Sequence, residues 1–370
     1  MLSVQLRDFR TYARAEAGLG PGLTVVHGPN GAGKSNLLEA LYFGCTGRSP
    51  RTRNERELVR FGAQATRVVV RGSEDAQEHE LTVAYGAGAD GERAVKRMTA
   101  DGAAVERLLD VDFRPLLSVF EPDRLELLKG PPSVRRAHLD QVVAAIWPLR
   151  AGARREYSRV LAQRNALLAR IRAGRASDAT LATWDRELAL AALALREHRS
   201  TAVELLVQPF AERARQLGLS GDAALAYRPR SRAADAEEFV AELQARLASD
   251  LERGFTGHGP HRDELAILRD GRDLRSYGSQ GEQRLALLAL LLAERAVLAR
   301  ERRRTPLMLL DDVMSELDSQ RRELLAAELA SDGQSIIATT DLANVPGASD
   351  RQVARLRVSP GAILQEALAA

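Results

Sequence analysis

The stretch that decides the fold of this chain reads Gly28-Pro29-Asn30-Gly31-Ala32-Gly33-Lys34-Ser35. It fits the pattern G-x-x-x-x-G-K-[ST], a loop whose backbone N–H groups surround phosphate oxygens. The glycines let successive N–H groups face one anion. Lys34 places a positive charge on the β- and γ-phosphates, and the Ser35 hydroxyl is a ligand for Mg²⁺. The stretch therefore predicts a site for a nucleoside triphosphate with its magnesium ion.

The sequence on either side of the loop supports this interpretation. Residues 22–27 are a predicted strand and residues 35–42 a predicted helix. The start of a helix offers free N–H groups and a positive dipole end, so the strand–loop–helix order favours a phosphate site over a ligand-free glycine turn. The residues expected to contact the nucleotide here are Gly28, Pro29, Asn30, Gly31, Ala32, Gly33, Lys34, Ser35 and Asn36.

The composition of the chain is that of a globular protein. Its 370 residues suffice for two or three domains, with 45% hydrophobic and 28% charged residues. The net charge of +3 is small, although a pI near 9.2 leans toward anionic partners. Cys45 is the only cysteine, and no run of about 18 apolar residues or signal-peptide pattern is present. We expect a cytoplasmic protein with no membrane partner.

Strand patterns lie at both ends of the chain, with helical patterns between them. The predicted strands are 2–8, 22–27, 66–71, 79–85, 92–98, 116–120, 222–228, 306–311, 334–339 and 352–358. From 133 to 217, apolar spacings of three and four predict two or three long amphipathic helices. Further helices are predicted at 235–252, 281–300 and 319–329. The pattern predicts an α/β fold in which both ends of the chain share a sheet and an antiparallel β meander, plus a mainly helical second lobe.

A second acidic element follows the apolar strand at 306–311. An apolar run of this kind is typical of a strand buried on both faces of a parallel sheet, where ligands bind at the carboxyl end. Asp311 is expected to hold Mg²⁺ with Ser35, and Asp312 to polarise the attacking water, so Asp312, Lys34 and Asp311 are the predicted catalytic residues. The alternative is a helix N-cap by either aspartate.

The turn Tyr277-Gly278-Ser279-Gln280-Gly281-Glu282-Gln283 opens the apolar helix. A helix start with a serine hydroxyl is a second place for an anion, and Gly281 permits a close approach. We include Ser279, Gly281 and Glu282 among the predicted nucleotide contacts, supplied from a second copy of the chain. An ordinary N-cap by Ser279 is the alternative.

Together, these segments resemble the motifs of ABC-type ATPases. Gly28–Ser35, Ser279–Gln283, Leu307–Asp312 and Ser315–Asp318 look like the Walker A, signature, Walker B and D-loop motifs. The wide separation of the first two motifs is similar to the SMC and DNA-repair branch, and the chain closely resembles the RecF family of bacterial recombination mediators. The segments that carry this resemblance are 7–12, 30–40, 120–123, 129–132, 135–136, 257–263 and 311–318.

The resemblance implies an ATPase head made of residues 1–132 and 253–370, with residues 133–252 as the helical lobe. It also implies an ATP-dependent homodimer that uses Mg²⁺ and binds duplex DNA and single-strand–duplex junctions. RecR is the implied direct partner, with RecO, in a pathway that loads RecA at gaps covered by single-strand-binding protein. The implied activity is a weak, DNA-dependent ATPase.

Two departures from the ABC pattern affect the chemistry. Asp312 stands where most such ATPases have glutamate, so we expect slow hydrolysis. Thr339-Thr340-Asp341 replaces the usual switch histidine. In addition, the Q-loop glutamine has no clear counterpart, and Glu121 is the one candidate for it. The sensor of the γ-phosphate therefore stays open.

Several other interpretations compete with this one. The nucleotide-binding subunit of a transporter is the main alternative function, and a small-molecule kinase is another. Residues 150–217 hold 13 arginines and no lysine against seven acids, a net +6, which suits either a DNA surface or solvated helix faces. His258 and His261 are expected to be structural rather than zinc ligands.

Overall fold

The computed structural model describes residues 1–74, 76–86, 94–331 and 333–366, without the side chains of Pro122, Asp123 and Glu316. The chain forms two compact units. The first comprises Met1–Pro122 and Arg304–Ala370, and the second Asp123–Arg303. The predicted head, residues 1–132 and 253–370, and the predicted helical lobe, residues 133–252, stay a prediction.

Fifteen strands are named over the described ranges. They are β1 (Ser3–Phe9), β2 (Tyr12–Gly18), β3 (Leu23–His27), β4 (Ala65–Glu74), β5 (Gln77–Gly86), β6 (Val95–Ala100), β7 (Ala103–Ala104), β8 (Leu117–Phe120), β9 (Ala223–Arg228), β10 (Glu264–Arg269), β11 (Arg272–Asp273), β12 (Leu307–Asp311), β13 (Ser335–Thr339), β14 (Ala354–Ser359) and β15 (Ala362–Glu366). The helices are α1 (Lys34–Thr46), α2 (Glu126–Lys129), α3 (Pro132–Ile146), α4 (Ala153–Arg172), α5 (Leu181–Gln216), α6 (Ala236–Gln244), α7 (Leu247–Arg253), α8 (Leu274–Tyr277), α9 (Gln280–Arg302) and α10 (Ser319–Ser331).

An antiparallel sheet forms one layer of the first unit, in the order β2-β1-β4-β5-β6-β7. Its strands alternate apolar and polar residues, so one face packs on the core and the other carries most of the exposed side chains, although Val69 and Thr82 on that second face are buried. The buried face includes Val4, Leu6, Val68, Val70, Leu81 and Val83. These residues share one hydrophobic core with α1.

The second sheet of the first unit has the order β15-β14-β3-β13-β12-β8. All its strands run parallel except β15, which pairs antiparallel with β14. The strand β3 that precedes the phosphate loop therefore lies between β13 and β14, and β12 is next to β13. The carboxyl ends of β3, β13 and β12 consequently meet at one edge of the sheet, where ligands bind in sheets of this kind.

The second unit is mainly helical. Its longest element is α5, whose buried side chains face α4, α6 and the other elements that surround it. The helix α9 buries nearly every residue from Leu285 to Leu298, as expected for a helix that is apolar all round. A small antiparallel sheet in the order β11-β10-β9 completes the unit.

Most predicted elements are confirmed, with a few corrections. The single helix predicted at 235–252 is wrong, because the chain breaks after α6 and restarts as α7, which carries Asp250 to the buried Arg164. The strands β2, β10 and β15 were not predicted from the sequence. Of the strand predicted at 92–98, residues 92 and 93 lie outside the described residues, and β6 covers residues 95–98.

Candidate nucleotide site

The phosphate loop connects β3 to α1, as the sequence predicts. Its tip, Pro29 to Gly31, is exposed, whereas Gly28 and the stretch Ala32–Lys34 are buried. Gly33 is the N-cap of α1 with φ 118° and makes no side-chain cap. The first N–H groups of α1 therefore have no capping side chain, which leaves the helix start open to an anion.

Lys34 is turned back onto its own loop. Its Nζ donates to the carbonyl oxygens of Gly28, at 2.8 Å, and of Pro29, at 3.0 Å. Burial lowers the pKa of Lys34, while the charges of Asp312 and Asp311 act in the opposite direction. The ammonium is thus held over the loop by two neutral acceptors, which a phosphate can replace.

Tyr12 supports the loop from the protein interior. Its side chain is fully buried, and its hydroxyl donates to the carbonyl oxygen of Gly33 at 2.9 Å. A Cβ atom built on Gly33 would lie 2.8 Å from that hydroxyl and 3.0 Å from Thr11 Oγ1. Only glycine fits between α1 and these two side chains. The family resemblance allows Tyr12 a place near the base or α-phosphate, or a core or surface role, and its complete burial fits the core role.

A polar network covers the first turns of α1. Asn36 donates to Thr11 Oγ1 at 3.1 Å and accepts from Arg51 at 3.1 Å. The buried Glu39 forms a bidentate ion pair with Arg10, at 2.8 and 2.9 Å, and also accepts from Arg51 at 3.4 Å. Sequence reasoning missed Arg51, which follows the helix by five residues and carries no motif of its own.

The acidic pair lies at the carboxyl end of β12. The N–H of Asp312 donates to the carbonyl oxygen of Ala338 at 3.0 Å, which ties it to the neighbouring β13. Asp312 has φ 49°, in the left-handed region that few aspartates adopt, and its Oδ1 is buried with no hydrogen-bond partner in the described structure. Burial raises the pKa of Asp311, while a hydrogen bond from Ser35 acts against that shift.

These residues fit ATP and a magnesium ion. Ser35 and Asp311 carry hard oxygen atoms that lie within hydrogen-bond distance of each other, close enough to bind one cation together. The unpartnered Asp312 Oδ1 is an acceptor available to a water molecule. The structure thus brings the predicted catalytic residues Lys34, Asp311 and Asp312 to one edge of one sheet.

The polar side chains at two other predicted segments, 339–341 and the D-loop, already have hydrogen-bond partners within the chain. Thr339 is buried, and its hydroxyl donates to the carbonyl oxygen of Asp341 at 3.0 Å. Asp341 in turn accepts from the N–H of Ala343 at 3.0 Å. The D-loop residue Asp318 accepts from Arg321 N at 2.9 Å and so caps α10.

In the second unit, the Ser279 turn is a complete capping box. Ser279 Oγ accepts from Glu282 N at 3.3 Å, and Glu282 Oε2 accepts from Ser279 N at 2.7 Å. Arg269 also pairs with Glu282. The hydrogen bond from the Ser279 N–H is the largest cause of the lowered pKa of Glu282. Gly281 is exposed and a Cβ there would touch nothing within 4 Å, so packing inside the chain does not require a glycine.

The two histidines, His258 and His261, make hydrogen bonds within the second unit. His261 Nδ1 accepts from the Tyr157 hydroxyl at 2.6 Å, and its Nε2 lies 3.0 Å from the carbonyl oxygen of Thr256. His258 Nε2 lies 2.5 Å from Glu242. Within the described ranges, no cluster of three or more potential metal ligands is found. No helix in the same ranges is long and apolar enough to cross a membrane.

The chain is similar to a known family over nearly its whole length. The family model described as the RecF/RecN/SMC N terminal domain matches residues 1–359. A DNA replication and repair protein RecF from Heliobacterium modesticaldum is 36% identical over 346 residues, which is 91% of each chain. Another RecF, from Anaeromyxobacter sp. strain Fw109-5, is 39% identical over 374 residues, which is 98% of each chain.

Solved structures give the same result. A structure of the recombination mediator protein RecF with ATP, in the RecFOR pathway, has a TM-score of 0.83 and 27% identity. It covers 99% of this chain and 97% of that chain. An SMC head bound to the C-terminal winged-helix domain of ScpA has a TM-score of 0.60 at 16% identity, covering 98% and 96%. This second likeness concerns the fold alone.

Proposed function

We propose an ATP-gated DNA-binding function in recombinational repair for this chain, which belongs to the RecF/RecN/SMC N-terminal-domain family and, within it, to the RecF proteins. Its fold is that of an ABC-type ATPase head with an added helical part. It is a DNA replication and repair protein of the RecF type. The predicted head, residues 1–132 and 253–370, and the predicted lobe, residues 133–252, are part of this proposal.

The observation that carries the proposal is the arrangement at the carboxyl edge of the parallel sheet. Lys34 rests on two carbonyl oxygens at the phosphate loop, and Asp311 contacts Ser35. Residues 28–36 would bind the triphosphate, and Ser35 with Asp311 would hold Mg²⁺. When bound, this ion neutralises charge on the β- and γ-phosphates. Asp312 would orient a water molecule for attack.

The proposed site is completed by a second copy of the chain. The exposed Ser279 and Gly281, with the half-buried Glu282, would contact the nucleotide held by the phosphate loop of the partner subunit. Two features support this role: the open space around Gly281, and an N-terminal turn that is already preorganised by its capping box. Binding of ATP would thus close a homodimer, and its hydrolysis would open it.

Asp312 sets the proposed timescale of that opening. Its side chain is one methylene shorter than the glutamate of most ABC-type ATPases, so a water molecule is held less closely. We infer weak ATP hydrolysis, stimulated by DNA, that acts as a timer. The dimer would bind duplex DNA and single-strand–duplex junctions. With RecR and RecO, it would help to load RecA at gaps covered by single-strand-binding protein in the cytoplasm.

The transporter subunit is not favoured. The relatives that match over at least nine tenths of both chains are DNA replication and repair proteins. A small-molecule kinase is not favoured either, because it would give no function to the Ser279 turn and the D-loop.

The decisive experiment is a DNA mobility shift with ATP, with ADP and without nucleotide. We expect the wild type to shift duplex DNA most strongly with ATP, because only the triphosphate closes the dimer. Lys34→Met should lose the ATP-dependent part of the shift while keeping the melting temperature of the wild type. Equal shifts in every lane would overturn the gated mechanism.

Light scattering at micromolar concentration tests the dimer separately. With hydrolysis suppressed by Asp312→Asn, addition of ATP and Mg²⁺ should double the mass. The double variant Asp312→Asn and Lys34→Met is the matched control, and its mass should not change. A constant mass in the first variant would refute ATP-dependent dimerisation.

A further inference from the structure

A row of arginines crosses the exposed face of the antiparallel sheet in the first unit. Arg14 on β2 is directly opposite Arg7 on β1, and Arg7 is opposite Arg67 on β4. Arg67 is opposite Ala84 on β5, which is opposite Arg97 on β6. We call Arg14, Arg7, Arg67 and Arg97 the arginine row.

The members of the arginine row are exposed, and no acidic side chain in the described structure pairs with them. Other arginines of the same unit are paired: Arg60 with Asp8 at 2.7 Å, and Arg71 with Glu80 at 2.8 Å. Like charges on directly opposite residues of neighbouring strands destabilise a sheet. The row therefore carries an electrostatic cost that an anionic ligand would remove.

The surface beside the row is concave. A groove of about 910 Å³ is lined by three members of the row, by Arg71, and by Ala362 and Ile363 on β15. Glu16 also lines it, and its carboxylate accepts from the Gln5 amide at 3.1 Å. The groove is thus predominantly basic, and all its walls belong to one compact unit.

The spacing of the row fits a polymer of phosphates better than a single anion. Adjacent strands lie about 4.8 Å apart, so the four arginines extend over roughly 19 Å from β2 to β6. Duplex DNA carries one charge per about 1.7 Å of its axis, and arginine binds phosphate oxygens in a bidentate manner. The row contains no aromatic side chain on which an unpaired base would stack.

We propose that the arginine row is a contact surface for the phosphate backbone of duplex DNA. This inference rests on the proposed function, since it presumes that the chain binds DNA. It assigns that binding in part to the exposed face of the sheet, not solely to the arginine-rich helices of the second unit. The recognition is independent of base sequence, because only the phosphates are contacted.

The test compares two double variants with the same loss of charge. Arg7→Gln with Arg67→Gln removes the centre of the row. Arg56→Gln with Arg351→Gln, two exposed arginines of the same unit outside the row, is the matched control. Fluorescence anisotropy with a labelled duplex of about 30 base pairs, in ATP and Mg²⁺, gives the affinity at salt concentrations from about 50 to 200 mM.

Each phosphate contact contributes about 0.9 to the slope of log K against log salt. We expect the row variant to lower the magnitude of that slope by about 2 and the control to leave it within about 0.5. Arg7→Lys with Arg67→Lys should retain most of the slope, because the charge is kept. A melting temperature of each variant that is not below that of the wild type establishes that the fold is intact.

The outcomes separate this inference from the proposed function. If the wild type does not bind duplex DNA, the proposed function fails. If the wild type binds in an ATP-dependent manner but the row variant and the control have equal slopes, only the arginine row is refuted. A row variant that loses single-stranded DNA and keeps duplex DNA would overturn the assignment to a duplex.

Discussion

Two glycines of the phosphate loop provide a quantitative test of how the loop is built. Gly31 has φ 76° and open space around its Cβ position, whereas Gly33 has φ 118° and would place a Cβ against Tyr12 and Thr11. Alanine at 31 pays only for a left-handed backbone, about 1 kcal/mol. Alanine at 33 meets both a backbone that is less accessible and a contact of 2.8 Å, which together cost about 3 kcal/mol or more.

These costs reduce the fraction of molecules whose loop can bind phosphate. We therefore expect Gly31→Ala to weaken ATP binding roughly fivefold and Gly33→Ala roughly 100-fold or more, at about 1.4 kcal/mol per factor of ten. Titration of a fluorescent ATP analogue gives both values. Adding Tyr12→Phe to Gly33→Ala removes the closest contact and should restore part of the loss. Equal effects of the two alanines would refute the reasoning.

Three further predictions concern other parts of the chain. Ser279→Arg should weaken α9 by about 1 kcal/mol through loss of its cap, retain ATP binding and abolish hydrolysis in a phosphate-release assay; normal hydrolysis would mean that the turn is only a cap. Arg164→Met should lower the free energy of unfolding by about 3–5 kcal/mol in urea, because it leaves Asp185 and Asp250 as buried charges, and a loss below about 1 kcal/mol would contradict this. Burial lowers the pKa of His261 to about 4, so the unfolded chain binds the proton more readily between pH 6.5 and 4. Stability is therefore expected to fall by about 2 kcal/mol from pH 7 to pH 5, and His261→Gln should remove this part of the pH dependence in urea titrations.

The candidate nucleotide site at the carboxyl edge of the parallel sheet was largely predictable from the sequence, because each of its motifs lies within a short stretch of the chain. The strand–loop–helix around Lys34 and the apolar strand ending at Asp311 each carry their signal within about ten residues. That the two belong to one sheet follows from the rule that ligands meet the carboxyl ends of parallel strands. In the structure, β13 lies between β3 and β12. A local sequence pattern cannot predict this strand order.

The polar interior of the second unit was not predictable. Arg164 is completely buried, yet its sequence neighbours show only a helix with a mixture of arginines and leucines. Its partners Asp185 and Asp250 are 21 and 86 residues away. The hydrogen bond from the Tyr12 hydroxyl to the Gly33 carbonyl oxygen was not predicted for the same reason, since a single buried hydroxyl produces no periodic pattern in the sequence. The break between α6 and α7 contains neither proline nor glycine, so the sequence gives no local signal for it.

The order of the parallel sheet has a consequence for biosynthesis. Strand β3 is made early, but both of its hydrogen-bonded neighbours, β13 and β14, come from the last tenth of the chain. On the ribosome, the phosphate loop would thus emerge attached to a strand with two unsatisfied edges and wait for more than 300 residues to be translated. Until β13 and β14 are made, the two edges of β3 would therefore lack the strands that cover them in the folded protein.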